Sequence, residues 1–349
     1  METLLLTIPQ TEGYDSQLDR AAELIRSGQL VALPTETVYG LGADALDPEA
    51  VASIYQAKGR PSDNPLIIHV PNDRSWLDRY CRQVPELAYE LAEAFWPGPL
   101  TMILKRDPIV PDRTTGGLDT VGIRCPDHPV TLEIIRRADR PIAAPSANTS
   151  GRPSCTRAAE VLEDVGGRIA AVVDGGDCRV GVESTIIDLT GPTPCLLRPG
   201  GMPLELLEAL CGPIQRDPAT LRQMSGSEQP RAPGMKYRHY APKAPVTVVT
   251  GAAEKTADYI ARQGGPTTGV ICFEEFAGHF PTSQVAVLGP LHDMTQQARN
   301  VFSVLRSFDE RQVDQIYAQC PESTGLGLAV ANRLKKAAGF HVIELEGER

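Results

Sequence analysis

The sequence predicts an α/β protein with two domains joined by a basic linker. Residues 1–211 alternate eight short β-branched runs with a few helical patterns, which is typical of a domain built on a large mixed sheet. Residues 245–349 alternate strand and helix patterns more regularly, which favours a smaller parallel sheet covered by helices. A length of 349 residues suits two hydrophobic cores better than one.

The strands of the first domain are predicted from apolar runs that end at Gly or Pro. In chain order the runs are LVALPTETVYG, PLIIHV, LTMILK, TVGIRC, PIAAPS, IAAVVDGG, STIIDLT and PCLLRPG. The amphipathic patterns DSQLDRAAELIRSG and PELAYELAEAFWPG predict helices, the first capped by Asp15 and stopped at Gly28. Gly40 and Gly42 have the spacing of a dinucleotide-binding motif, but a lone match of this kind is weak, and we interpret them as a turn.

The second domain is predicted from a strand and helix order that produces parallel pairing. Its strand patterns are APVTVVTG, TGVICFE, QVAVLGP and VDQIYAQ, and its helix patterns are AAEKTADYIARQG, TQQARNVFSVLRSFDER and GLAVANRLKKAAG. Because a helical crossover returns the chain parallel to the preceding strand, we expect a Rossmann-like domain of three layers.

Composition and missing motifs exclude several classes of function. A formal net charge of −10 argues against nucleic-acid binding by bulk charge, since phosphate neutralisation supplies most of that affinity. No run of about 18 apolar residues occurs and the N-terminal apolar stretch is short, so we expect a soluble, cytoplasmic protein with no membrane partner. The absence of a Gly-Lys dipeptide excludes a Walker phosphate loop. The eight cysteines form no C-x-x-C pair, so we expect reduced thiols and no metal site made by the protein.

Residues 212–244 form the basic linker, which has little hydrophobic periodicity. Within it, five consecutive residues are basic or aromatic: Lys236, Tyr237, Arg238, His239 and Tyr240. Such a cluster suits a lid that closes over an anionic ligand, and a solvated basic loop is the alternative.

Polar loops at six predicted strand ends of the first domain carry hydroxyl, amide and permanently cationic groups. The guanidinium forks of Arg60, Arg124 and Arg198 suit phosphate or carboxylate oxygens. Any one of these residues is explained as well by a turn or a surface ion pair, but six such loops favour an anion site. His69 follows the apolar run PLII, so it is either a buried core histidine or a donor to a substrate oxygen.

Taken together, these segments resemble the long, two-domain form of the L-threonylcarbamoyladenylate synthase (threonylcarbamoyl-AMP synthase) family. They follow the order of the family: PTETVYGLGADA, KGRPSDNPLIIHV, FWPGPLT, VGIRCPDHP, PIAAPSANTSGRPS, ESTIIDL, LLRPG and PGMKYRHYAPKAP. The resemblance implies that residues 1–211 are a YrdC-like catalytic domain, a twisted mixed sheet with a large concave cavity. It implies that residues 212–244 cover the active site and that residues 245–349 are the extra α/β domain.

The activity implied by the resemblance is nucleotidyl transfer from ATP. L-threonine, bicarbonate and ATP would give threonylcarbamoyl-AMP and pyrophosphate, with Mg²⁺ held mainly by ATP and water oxygens. The product would serve downstream tRNA threonylcarbamoyl-transfer proteins, which form N6-threonylcarbamoyladenosine next to the anticodon. The sequence leaves open whether this chain contacts tRNA itself.

The resemblance also assigns two sets of binding residues by motif position. The threonine or carbamate set is Thr37, His69, Arg124, Ala144 and Ser184. The nucleotide set is Lys58, Arg60, Asn64, Thr120, Ser146, Asn148, Ser154, Arg198 and Tyr240. Lys58 and Arg60 are also assigned to catalysis, Arg124 to the threonine carboxylate, and Ala144 to a backbone contact.

Two other functions are weighed against this one. A carbamoyltransferase that forms carbamoyl-adenylate would carry paired C-x-x-C zinc fingers and an acylphosphatase-like module, and this chain has neither. A double-stranded RNA-binding module would use the concave face as a phosphate groove. The acidic balance of residues 1–211 weighs against that module, although clustered cations could form a local patch.

Overall fold

The computed structural model describes residues 2–8, 15–222, 224, 228, 230–236 and 239–345. Within these ranges the chain forms a sheet of 12 strands between residues 4 and 216 and a sheet of five strands between residues 246 and 344. The predicted α/β fold, with a large mixed sheet and a smaller parallel one, is confirmed. The boundaries at residues 211 and 244 stay predictions.

The large sheet mixes parallel and antiparallel pairs. Its strands are β1 (Leu4–Thr7), β2 (Val31–Leu33), β3 (Gly40–Asp44), β4 (Ile67–His69), β5 (Cys81–Arg82), β6 (Leu100–Arg106), β7 (Thr120–Arg124), β8 (Ile142–Ala143), β9 (Ala171–Asp174), β10 (Thr185–Asp188), β11 (Cys195–Arg198) and β12 (Gln215–Arg216). They lie in the order β1-β9-β2-β3-β8-β4-β7-β6-β10-β11-β12, and β5 pairs with β6. Because β4 and β7 are parallel neighbours, their final residues His69 and Arg124 lie side by side.

Eight helices flank this sheet in the described part of the chain. They are α1 (Asp15–Arg26), α2 (Pro48–Lys58), α3 (Arg74–Tyr80), α4 (Glu86–Phe95), α5 (Asp112–Thr115), α6 (Pro129–Ala138), α7 (Ala158–Val165) and α8 (Leu204–Cys211). Helix α2 has well-defined ends: the Asp47 carboxylate accepts from the Glu49 amide, and Gly59 adopts a left-handed φ of 64°. This end places Lys58 on the last turn.

The smaller sheet is entirely parallel. Its strands are β13 (Val246–Thr250), β14 (Thr268–Phe273), β15 (Gln284–Gly289), β16 (Gln315–Gln319) and β17 (Val342–Glu344), in the order β15-β14-β16-β13-β17. Its helices are α9 (Ala253–Gln263), α10 (Met294–Ser307) and α11 (Gly325–Ala337). Among the helices of the described ranges, none combines the length and the apolar character needed to cross a membrane.

The interpretation of Gly40 and Gly42 as a turn is wrong, because both lie in β3. A Cβ atom at position 42 would lie 2.9 Å from a methyl carbon of Ile142 and 3.0 Å from the Val31 carbonyl oxygen. Glycine is therefore required by close packing between strands. Four short strands were also not predicted from the sequence: β1, β5, β12 and β17. Strand β12 pairs with β11 and thereby attaches the start of the linker to the edge of the large sheet.

The two domains meet through buried charged groups. Arg306 of α10 is 3.0 Å from the Asp164 carboxylate of α7 and donates to the Pro153 carbonyl at 2.6 Å. Both side chains of the ion pair are buried. The C-terminal domain is thus packed against the loop that follows β8.

Candidate active site

Loops at the ends of β4, β7, β8 and β11 surround a pocket of about 670 Å³, its mouth included. Ten of the predicted residues line it: Lys58, Arg60, His69, Arg124, Ala144, Ser146, Asn148, Ser184, Arg198 and Tyr240. Four cations from three distant segments of the sequence therefore meet at one place. A second depression, of about 1010 Å³, has one ionisable residue, Arg168, among the described residues that line it, and is a weaker candidate.

Arg124 is held at the pocket wall by an ion pair that the sequence analysis did not include. Its Nη2 lies 2.7 Å from Oε2 of Glu36, and its Nε donates to the Gly98 carbonyl at 3.2 Å. The same Glu36 oxygen accepts from the Asp127 amide at 3.1 Å. With the Arg124 and Glu36 side chains only 5% and 2% exposed, the orientation of the guanidinium is fixed before any ligand arrives.

His69 is an uncharged group beside this arginine. Burial, and next the charge of Arg124, lower the pKa of His69 to about 3. Its Nδ1 is buried and has no hydrogen-bond partner among the described residues. A neutral imidazole with one uncommitted nitrogen is suited to a hydrogen bond with a ligand.

Lys58 projects from the end of α2 into the loop that follows β8. Its Nζ donates to the carbonyl oxygens of Ser146 and Asn148, whose side chains are joined by a hydrogen bond of 2.5 Å. Burial, and next the charge of Arg60, lower the pKa of Lys58 to about 7. An incoming anion would therefore increase the charge on this side chain near neutral pH.

Arg198 joins the end of β11 to the start of β10 and to the linker. Its Nε and Nη2 donate to the Ser184 carbonyl at 3.1 and 3.0 Å, and its Nη1 donates to the Pro233 carbonyl at 3.3 Å. Burial lowers the pKa of Arg198 to about 10, so the group stays charged at neutral pH. The Ser184 hydroxyl also lies 2.7 Å from the Thr101 hydroxyl.

Part of the predicted lid lies at the pocket. Pro233, Gly234, His239 and Tyr240 all line it. The Tyr240 ring packs 5.1 Å from the Phe302 ring of α10, and burial and the nearby Glu183 raise the pKa of Tyr240 to about 12. Tyr237 and Arg238 lie outside the described residues, and the Nζ of Lys236 lies 3.2 Å from an Asp63 carboxylate oxygen.

Four predicted residues are not among those that line the pocket. The buried hydroxyl of Thr37 lies 2.8 Å from the hydroxyl of the nearby Thr35, and the carbonyl of the buried Asn64 accepts from the Tyr55 hydroxyl at 3.1 Å.

The other two of these residues are Ser154 and Thr120. Ser154 donates to Oε1 of Glu183 at 2.6 Å, one side chain behind the pocket wall. Thr120 begins β7, opposite Lys105, at the far end of the strand from Arg124. The binding roles assigned to all four residues stay predictions.

Two buried carboxylates at the site, Glu36 and Glu183, were not predicted from the sequence. Each lies beside a residue that was predicted, Thr37 and Ser184 respectively. Since a buried guanidinium requires a counter-charge, the neighbouring Glu was an available signal. In the described ranges, no three His, Cys, Asp or Glu side chains are grouped closely enough to hold a metal ion.

Comparisons with known proteins identify the family. A family model described as telomere recombination matches residues 23–200, and one described as threonylcarbamoyl-AMP synthase, C-terminal domain, matches residues 203–339. The threonylcarbamoyl-AMP synthase of Pyrococcus abyssi is 49% identical, over 93% of this chain and 95% of its own length. The threonylcarbamoyl-AMP synthase of Bacillus subtilis is also 49% identical, over 94% of this chain and 95% of its own length.

A solved structure gives the same result over both domains. The crystal structure of P. abyssi Sua5 complexed with L-threonine matches with a TM-score of 0.90 and 46% identity. The match covers 99% of this chain and 100% of the P. abyssi chain. The chain belongs to the threonylcarbamoyl-AMP synthase family and is an enzyme of the nucleotidyltransferase type.

Proposed function

We propose that this protein converts L-threonine, bicarbonate and ATP into threonylcarbamoyl-AMP and pyrophosphate. The observation that carries the proposal is the convergence of Lys58, Arg60, Arg124 and Arg198 around one pocket. The reaction needs such a site because a carboxylate, a carbamate and a triphosphate must be held together.

The threonine end of the pocket is assigned to the strand ends of β4 and β7. Arg124, oriented by Glu36, binds the threonine carboxylate. The uncharged His69 beside it offers a hydrogen bond to the amino acid or to its carbamate. Threonine's amine and bicarbonate give the carbamate with loss of water, and a carbamate oxygen then attacks the α-phosphorus of ATP.

The nucleotide end is assigned to Lys58, Arg60, Arg198 and the loop around Ser146. As the bond between the α- and β-phosphates breaks, pyrophosphate leaves with additional negative charge. Fixed cations stabilise that charge, and Lys58 gains charge when the phosphates arrive. Tyr240 of the linker lines the pocket, which supports its assignment to the nucleotide.

Magnesium enters this proposal as part of the MgATP substrate. The pocket carboxylate of Glu183 already accepts from Ser154 and Arg333, and no group of three His, Cys, Asp or Glu side chains that could hold a metal ion exists among the described residues. These residues do not build a magnesium site of their own, so the ion would be held by phosphate and water oxygens. No step is assigned to a protein-bound metal.

The product is a mixed anhydride, which is prone to hydrolysis. We propose that it is consumed by proteins that transfer the threonylcarbamoyl group to the tRNA adenosine next to the anticodon. The acidic balance of the chain argues against tight tRNA binding by this protein itself.

Pyrophosphate release tests the proposal directly. The purified protein should release pyrophosphate from MgATP when threonine and bicarbonate are both present, and mass spectrometry should detect threonylcarbamoyl-AMP. Omission of either substrate should abolish release. A protein that shows no threonine-dependent release, but binds duplex RNA with a steep salt dependence, would instead support the RNA-binding alternative.

A further inference from the structure

Two cations of the C-terminal helix α11 lie directly behind the pocket. Arg333 is fully buried, and its Nε lies 2.6 Å from Oε2 of Glu183, which lines the pocket. Lys336, one turn further along, donates to the carbonyl of Gly234 in the linker. Neither residue has a role in the reaction proposed above.

Glu183 connects Arg333 to the nucleotide end of the pocket. Its Oε1 accepts from the Ser154 hydroxyl at 2.6 Å while its Oε2 faces Arg333. The Arg333 guanidinium carbon also lies 5.3 Å from the centroid of the Tyr240 ring, within range of a cation–π contact. One buried ion pair is thus in contact with two residues assigned to the nucleotide.

The charge of Glu183 must be balanced by one of two arginines. Burial raises the pKa of Glu183, but Arg333, Arg198 and the Ser154 hydroxyl together outweigh burial and lower that pKa to about 2. Arg198 is one of the cations assigned above to the triphosphate. If Arg333 were absent, the carboxylate would either compete with the phosphates for Arg198 or take up a proton.

We propose that Arg333 is a positioning residue for nucleotide binding. It neutralises Glu183, keeps Arg198 available to the triphosphate, and fixes Ser154 and Tyr240 at the nucleotide end. The C-terminal domain thereby completes the active site without lining it. This inference rests on the proposed function for the identity of the nucleotide.

The test compares the affinity for MgATP, measured by titration calorimetry, among matched variants. Arg333→Met should weaken MgATP binding by about tenfold or more, because it leaves a buried carboxylate beside Arg198. The double variant Glu183→Gln/Arg333→Met should recover most of this loss, since neither charge is left unpaired. Because the second change would also restore stability lost to the unpaired carboxylate, affinities are compared only among samples that circular dichroism shows to be folded.

A control variant separates this effect from loosening of the domain interface. Arg299→Met removes another contact between the domains, the hydrogen bond of 2.6 Å to the Arg179 carbonyl, at an exposed position away from the pocket. It should change MgATP affinity by less than about twofold. In turnover assays, Arg333→Met should raise KM for ATP while KM for threonine changes by less than about threefold.

Specific results would overturn the inference. These are an Arg333→Met affinity for MgATP within about twofold of wild type, equal losses for ATP and threonine, or no recovery in the double variant. If Arg333→Met fails to fold, the double variant is compared with Glu183→Gln alone. A double variant that binds MgATP as tightly as Glu183→Gln supports the inference, and one that binds more weakly overturns it. Because calorimetry needs no turnover, a wild-type protein that binds MgATP but makes no product would refute the proposed function and leave this comparison valid.

Discussion

Replacement of Arg124 by Met should separate threonine recognition from nucleotide recognition. Met keeps much of the side-chain volume but removes the guanidinium that faces the pocket and pairs with Glu36. Loss of a buried, hydrogen-bonded charge contact costs about 2 to 5 kcal/mol of binding free energy. We therefore expect KM for threonine to rise by about 30-fold to about 4,000-fold, while KM for ATP changes by less than about threefold.

The same change should also destabilise the protein. It leaves the carboxylate of Glu36, which is 2% exposed, without its cation. Breaking a buried pair by removing one partner costs about 3 to 5 kcal/mol of unfolding free energy. The double variant Glu36→Gln/Arg124→Met should recover much of this stability but none of the threonine affinity.

Initial rates of pyrophosphate release against threonine and against ATP, together with thermal unfolding, measure these effects. Arg124→Lys is the matched control, because it keeps the charge without the planar fork and should fall between wild type and Arg124→Met. Equal rises in both KM values would refute the assignment of Arg124 to the carboxylate. Recovery of threonine affinity in the double variant would show that the loss came from misfolding.

Three further predictions concern protonation and packing. Lys58 is mostly neutral above its pKa of about 7, and a bound triphosphate favours its charged form. MgATP binding should therefore be accompanied by proton uptake between about pH 7 and 9, and the affinity for MgATP should fall as pH rises. Calorimetry in buffers of different ionisation enthalpy measures the uptake, which Lys58→Met should reduce; equal uptake in that variant contradicts the assignment. Arg306→Met should cost about 1 to 3 kcal/mol of stability at neutral pH, because Arg152 still pairs with the Asp164 carboxylate. Burial raises the pKa of Asp164, but the hydrogen bond and charge of Arg306, with the Thr149 amide and Arg152, together lower it. The pair therefore stabilises the fold above the unfolded-state pKa, and in thermal unfolding the deficit should shrink below about pH 4; a pH-independent deficit would contradict this. Gly200→Ala should lower both melting temperature and activity, because its Cβ would lie 2.2 Å from the Glu183 carbonyl oxygen. The control Gly278→Ala, whose Cβ would have no atom within 4 Å, should change neither. A Gly200→Ala protein with the wild-type melting temperature and activity would contradict the packing argument.

The meeting of His69 and Arg124 shows what the sequence could predict. Each residue ends an apolar run, so both were expected at strand ends, Arg124 facing an anion and His69 either in the core or facing a substrate oxygen. Their adjacency depends on β4 pairing with β7, which local patterns do not specify because sheet order is a tertiary property. The motif order of a known family supplied that long-range information indirectly.

Glu183 and Arg333 show what the sequence could not predict. They are 150 positions apart and come from different domains, so no local spacing relates them. Their pairing arises from the packing of α11 behind the pocket. The glycine in the middle of β3 was misinterpreted for a similar reason, since the close contact with Ile142 that requires it comes from a distant strand.

A crystal structure with L-threonine and a non-hydrolysable ATP analogue would test the central claim most directly. We expect the threonine carboxylate within hydrogen-bonding distance of Arg124 and the phosphates within the same distance of Lys58, Arg60 or Arg198. Glu183 should still be paired with Arg333. Density for either ligand at another place on the molecule, with this pocket empty, would contradict the account.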